Sequence, residues 1–169
     1  QQKALGQLQL ATENLIKGIK IVESLKDSIS LRRYYNNLSS IFLCLNDAKN
    51  SLFYSRKSYQ IALLIKDSVL IANSMVNLAT SEVLDLQYDS AIVHLKKVTA
   101  ISQRSNNTYL LLYSYVNIGD IYNKIQNPQI ALGYYEKANR LLKYDPDPDF
   151  EMYTNCGLAY TYYNLHDYN

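Results

Sequence analysis

The chain has 169 residues, 48% of them hydrophobic and 19% charged, with a net charge of +2, five Gly, three Pro, two Cys and no Trp. Apolar content at this level with balanced charge excludes a disordered tail, two Cys exclude a disulfide-dense scaffold, and so few Gly argue against a nucleotide-binding loop. The length fits one domain of ordinary size, able to bury roughly 70% of the surface its unfolded chain exposes.

In chain order, the apolar spacing predicts helices over 4–25, 29–46, 49–66, 69–86, 89–104, 108–126, 128–143 and 149–165, which leaves few residues for strands. Asp27-Ser28 and Asp67-Ser68 suit helix starts, and Asn127-Pro128 reads as an N-cap followed by Pro in the first turn. Asp145-Pro146-Asp147-Pro148-Asp149 is an acidic linker ahead of the last helix. No uncharged run reaches the ~20 residues of a membrane-spanning helix, so no membrane contact is expected. No basic segment here leads into an apolar stretch of the kind that makes a signal peptide, and a cytoplasmic setting is expected over a periplasmic one. Residue 1 is Gln and the chain stops after a first helix without its mate, as expected of a segment excised from a longer protein.

Beneath these elements lies a 40-residue period. Leu25-Lys26-Asp27-Ser28 returns as Ile65-Lys66-Asp67-Ser68. The same shift aligns Ala11, Ser51, Ala91 and Ala131, then Leu38, Leu78, Ile118 and Leu158, then Ser39, Ala79, Gly119 and Ala159. Small residues thus fall on small and large apolar residues on large. Where Ser39 or Gly119 meets Ser51 or Ala131, two helix backbones are expected to approach closely as an antiparallel pair. One pair cannot bury its apolar faces alone, so neighbouring pairs must stack. The fourth copy admits two registers, one placing Ala159 and the other Gly157 in the small-residue column.

With Tyr115, Ile118, Gly119 and Tyr122 on one helix and Ala131, Tyr135 and Ala138 on the next, the chain resembles a tetratricopeptide repeat array, of the longer type seen in bacterial signalling proteins. The first copy departs from that pattern by placing Ser51, Ser55 and Ser58 where Ala and an aromatic are usual. The resemblance implies an all-α, right-handed superhelical solenoid of about four stacked pairs. Its units fall near 1–28 (partial), 29–68, 69–108, 109–148 and 149–169 (partial), in one segment over 1–169.

Chemistry-bearing residues are sparse. His94 and His166 have no ligand partner at metal spacing and read as ordinary helix side chains. Cys44 and Cys156 read as small, mostly packed thiols. Glu82, in the column of Phe42 and Tyr122, is expected to be partly buried. The acids of 145–151 lack the Gly and terminal Glu of a calcium loop and read as capping and solvation. No cofactor, metal site or catalytic residue is expected. A charge of +2 is a weak footprint for RNA, which makes an RNA-binding helical repeat a lesser alternative. The charge is uneven all the same: residues 1–104 hold 13 basic and 8 acidic side chains and residues 105–169 hold 4 and 7, hence +5 and −3.

In arrays that the chain resembles, the first helix of each pair lines a concave face that receives a peptide or a partner's helix. Rotation by 100° per residue puts Arg33 and Asn37 on that face in one copy, Asn73, Asn77 and Thr80 in the next, and Tyr113, Asn117, Asp120 and Lys124 in the third. Asn37, Asn77 and Asn117 form a column of amides suited to the peptide groups of an extended ligand. Twelve of the 17 Tyr lie at or after Tyr109, and Tyr153 and Tyr160 are candidates for exposure toward the groove. The expected function is a protein or peptide interaction module of a larger bacterial regulator or sensor kinase. A structural spacer or self-association array is the alternative.

Overall fold

The computed structural model describes residues 2–166, and all eight of their regular elements are helices. In order they are α1 (Gln2–Ser24), α2 (Ser28–Cys44), α3 (Ala48–Ile65), α4 (Ser68–Leu84), α5 (Tyr88–Arg104), α6 (Thr108–Lys124), α7 (Pro128–Leu142) and α8 (Pro148–His166). Each boundary lies within two residues of the one expected from apolar spacing. The His166 side chain lies outside the described residues.

The joints between helices are alike. Lys26, Asn46, Lys66, Leu86, Asn106 and Gln126, spaced by twenty, are left-handed, with φ between 52° and 62°. Each closes a helix. At α6 the Gln126 N–H donates to the Asn123 carbonyl (3.1 Å) and the Asn127 N–H to that of Tyr122 (2.8 Å), so the last turn keeps its partners. The next residue opens the following helix. Side chains of Asp27, Asp47, Asp67 and Asn107 accept from backbone amides three residues on, at 3.0 Å in each case. Asn127 is the N-cap residue of α7 and Pro128 occupies the first turn, as expected, but the Asn127 amide donates to the Ile125 carbonyl (3.2 Å) and makes no capping bond. Asp147 continues the count of twenty and accepts from the Phe150 amide (3.1 Å), so the period carries through the linker at 145–149.

Two compact units divide the chain, one up to Ala91 and one from Ile92 onward. In the first, Ile19, Tyr35 and Leu38 form a core flanked by Leu15, Tyr34, Phe42 and Tyr54. Phe42 stacks on Tyr54 at 5.5 Å, and the Lys57 ammonium stands 5.1 Å over the Tyr35 ring. The close approach expected at Ser39 is present and draws in a third helix. Ser39, Ser51 and Ser81, from α2, α3 and α4, are fully buried, with hydroxyls 2.8–3.3 Å apart. Along the same seam Ser58 meets Ser74 (3.1 Å), to which Arg32 Nη1 donates (3.3 Å). Glu82 is buried, as its column predicts.

The second unit repeats the aromatic clasp two periods later. Tyr122 stacks on Tyr134 at 5.8 Å, and Lys137 stands 4.6 Å over Tyr134. Leu112, Val116, Ala131, Tyr135, Ala138, Leu142 and Phe150 form its core. The Tyr135 ring is fully buried, and a Cβ on either Gly119 or Gly157 would lie within 3 Å of it. Since the caps Asn107 and Asp147 are 40 residues apart, the last helix keeps the strict register with Ala159, exposed, in the column of Gly119, and Gly157, in the column of Asn117, is buried against Tyr135. The reading of Cys44 and Cys156 as packed thiols is corrected, since both are free and exposed. Cys44 is the last residue of α2, and Cys156 opens onto the surface of α8.

Candidate functional site

The second unit holds two adjoining hollows on α6 and α8. The first begins where the opening turns of these two helices lie side by side, each capped, by Asn107 and Asp147, and the second lies further along, between the end of α6 and the middle of α8. The first hollow encloses about 410 Å³ and is lined by Tyr109, Tyr113, Asn117, Asp120, Phe150 and Tyr153, with Asp147 and Asp149 at its edge and Val116 beneath. Across its mouth the Tyr109 and Phe150 rings meet edge to face at 5.3 Å. The second, of about 440 Å³, is lined by Lys124, Tyr153, Cys156 and Tyr160 and shares Asp120 with the first.

A hydrogen-bonded wall stands behind them. The Tyr135 hydroxyl donates to Asp120 Oδ1 (2.5 Å) and accepts from the Asn123 amide (3.2 Å). Asn123 donates in turn to the Thr161 hydroxyl (2.9 Å), which ties α6, α7 and α8 together. Asp120 is solvent-exposed as a residue, but its carboxyl is set among neighbouring side chains. That lost hydration pushes its pKa above the usual carboxylate value, against the opposing effects of the Tyr135 hydrogen bond and Lys124. Burial, and then the Asp120 carboxylate, push the Tyr135 phenol upward, so it remains a neutral donor. Such a wall holds shape; the hollow in front offers rings, an amide and carboxylates for binding.

Six residues expected on a binding face are brought together here: Tyr113, Asn117, Asp120, Lys124, Tyr153 and Tyr160. Tyr153 and Tyr160 are each 55% exposed, which leaves ring area for a ligand to cover. Asn117 donates one amide hydrogen to the Tyr113 carbonyl (2.8 Å), so its side chain is held in a fixed pose. The other five candidates belong to the first unit. Arg33 is exposed and donates to the Ser30 hydroxyl (3.4 Å), while Asn37 lines a shallow depression with Asn14, Tyr34 and Ser40. Asn73, Asn77 and Thr80 stand half-buried along α4, the Thr80 hydroxyl donating to the Val76 carbonyl (2.9 Å).

Sequence reasoning missed Tyr109, Asp147, Asp149 and Phe150. Their signal was present in the period, because Asp149 and Phe150 sit 40 residues after Tyr109 and Leu110 and thus in the matching first turn. Among the described residues no group of three or more His, Cys, Asp or Glu could hold a metal ion, and no helix is long and apolar enough to cross a membrane.

Residues 70–143 match the family model of the tetratricopeptide repeat. No curated protein matches the chain as a sequence relative. Among solved structures, the kinesin light chain-type TPR-like repeats of Podosopora anserina superpose with a TM-score of 0.79 at 17% identity, covering 97% of this chain and 82% of that one. The apo form of RapI gives 0.77 at 21% identity, covering 91% of this chain and 58% of its own. Aspartyl phosphate phosphatase F from Bacillus subtilis gives 0.78 at 21%, covering 92% and 42%. The chain therefore spans about half the length of the latter two. At these identities the likeness is one of fold.

Proposed function

We propose, from the premise that this chain is a tetratricopeptide-type repeat array, that it serves as the peptide-binding region of a larger bacterial regulatory or signalling protein, either a transcriptional regulator or a sensor kinase. The observation that carries the reading is the pair of adjoining hollows on α6 and α8, where six residues of the expected binding face converge in front of a hydrogen-bonded wall. Concave sites with rigid aromatic sides and a few fixed polar groups are the usual form of a recognition site. The fold shared with RapI and the Bacillus subtilis phosphatase supports a regulatory setting. In such a setting occupancy would bias an output region elsewhere in the longer protein.

Panning a random displayed-peptide library on the immobilised chain tests this. A recovered consensus whose binding weakens about tenfold or more in Tyr153→Ala or Asn117→Ala, a change of ~1.4 kcal/mol, is the expected result. Failure to enrich any peptide would overturn the reading. Asn77→Ala tests the amide column separately: loss of affinity there extends the contact onto α4, and no loss confines it to α6 and α8.

A further inference from the structure

We propose that the hollow between the first turns of α6 and α8 is a subsite for a cationic side chain, lysine or arginine, of the bound peptide. The inference rests on the peptide-binding reading above and adds the chemical class of the residue received. Four aromatic rings, those of Tyr109, Tyr113, Phe150 and Tyr153, surround about 410 Å³, and Asp120, Asp147 and Asp149 contribute three carboxylates. No Lys or Arg is among the side chains that line it. Aromatic faces attract cations through their quadrupole, and carboxylates add charge-assisted hydrogen bonds, so the two wall types favour the same guest. An anionic side chain would meet like charge from Asp147 and Asp149, whereas a neutral one would gain nothing from them beyond the contact with the rings.

Capping and helix polarity account for part of the acidity. Asp147 Oδ1 accepts from the amides of Asp149 and Phe150 (3.1 Å each), and Asp149 lies in the first turn of α8, where a negative charge is favoured. Phe150 belongs to the core and Tyr113 packs against it, but neither core nor caps account for the other two rings. Tyr109 is 60% exposed and Tyr153 55%, which is costly apolar surface to leave in water beside three acids unless something covers it. The neighbouring hollow differs, because Lys124 faces Asp120 there and balances it. The basic side chain therefore belongs to the Tyr109 side, and the neighbouring hollow is left for an adjacent residue of the same peptide.

The test uses the heptapeptides selected from the random library, resynthesised with each Lys or Arg replaced by Gln. Expected are enrichment of Lys or Arg at one consensus position and about tenfold weaker binding of the Gln analogue. Asp149→Asn, at an exposed position that leaves the Asp147 cap intact, should weaken the basic peptide several-fold and leave the Gln analogue unchanged. The difference should shrink in high salt. Circular dichroism melts of Asp149→Asn matching the parent exclude a folding defect. Peptides that bind without a basic position, or Gln analogues that bind equally, overturn this inference and leave the peptide-binding reading standing. A library that yields no binder overturns both.

Discussion

Tyr135 is the residue on which the second unit turns, since its ring fills the space that two missing side chains leave and its hydroxyl holds Asp120 at the edge of both hollows. Gly157→Ala places a methyl 2.4 Å from that ring. Alanine gains helix propensity of up to about 1 kcal/mol, but overpacking against a ring with no room to move costs about 1–3 kcal/mol. Net destabilisation in urea is expected, and an unchanged midpoint would show that the ring can shift. Asp120 adds a dependence on pH. Its folded pKa is raised, so its ionisation opposes folding: the cost is absent below the ordinary value of 3.8, grows as pH rises through the folded pKa, and is complete above it. Asp120→Asn should remove that slope, so the parent gains stability relative to the variant as pH falls from 7 toward 4. The caps Asp27 and Asp47 act with opposite sign. Backbone and side-chain hydrogen bonds lower their pKa, and their support is lost as pH falls through those lowered values.

At the scale of the helix, the joints set the design. Six left-handed residues close successive helices and none is Gly; five are Lys, Asn or Gln, and the sixth is Leu86, 71% exposed at φ 60°. Asn tolerates that conformation, but a branched apolar side chain does so at a cost of roughly 1 kcal/mol. Leu86→Gly should therefore raise the thermal midpoint despite the added freedom of the unfolded chain, and a lowered midpoint would mean that Leu86 contributes contacts of its own. Helix positions were legible from sequence because apolar spacing and an Asp or Asn cap agree at most starts. Asn127 and Pro128 take the cap and first-turn places that the sequence assigns them, but the spacing could not show that the Asn127 amide turns back to Ile125 and makes no capping bond. The serine seam was legible only as small residues facing small ones. That Ser81 of α4 completes the set required knowing which helix packs over the pair.

For the molecule as a whole, each unit carries its own core, and the stacked pair of Phe42 and Tyr54 with Lys57 over Tyr35 in one reappears as Tyr122 and Tyr134 with Lys137 over Tyr115 in the other. The candidate site was half legible. Rotation about a helix picked out Tyr113, Asn117 and Asp120, but Tyr109 and Phe150 meet only because helices two apart in sequence start side by side, which a single-helix projection does not show. The acids at 147 and 149 have a capping reading good enough to hide a second one. Spacing of the joints leads to a prediction at this scale. Excising residues 27–66 fuses Lys26 to Asp67 and restores the Lys-Asp-Ser junction found at both parent joints. The shortened chain should keep its mean residue ellipticity while losing stability, as expected where neighbours supply most of the contacts. Collapse of helicity per residue would show that these pairs are not interchangeable.

The regular beat of those joints also bears on how such a chain changes over generations. A recombination that slips by one full period between matching codons removes or adds a whole cassette with a native splice on either side, whereas a slip of twenty keeps the caps in step but sets a first helix where a second belongs. Growth and shrinkage in steps of 40 residues are thus the changes of length that leave both caps and seams intact, and the length of the array can drift where its local chemistry cannot.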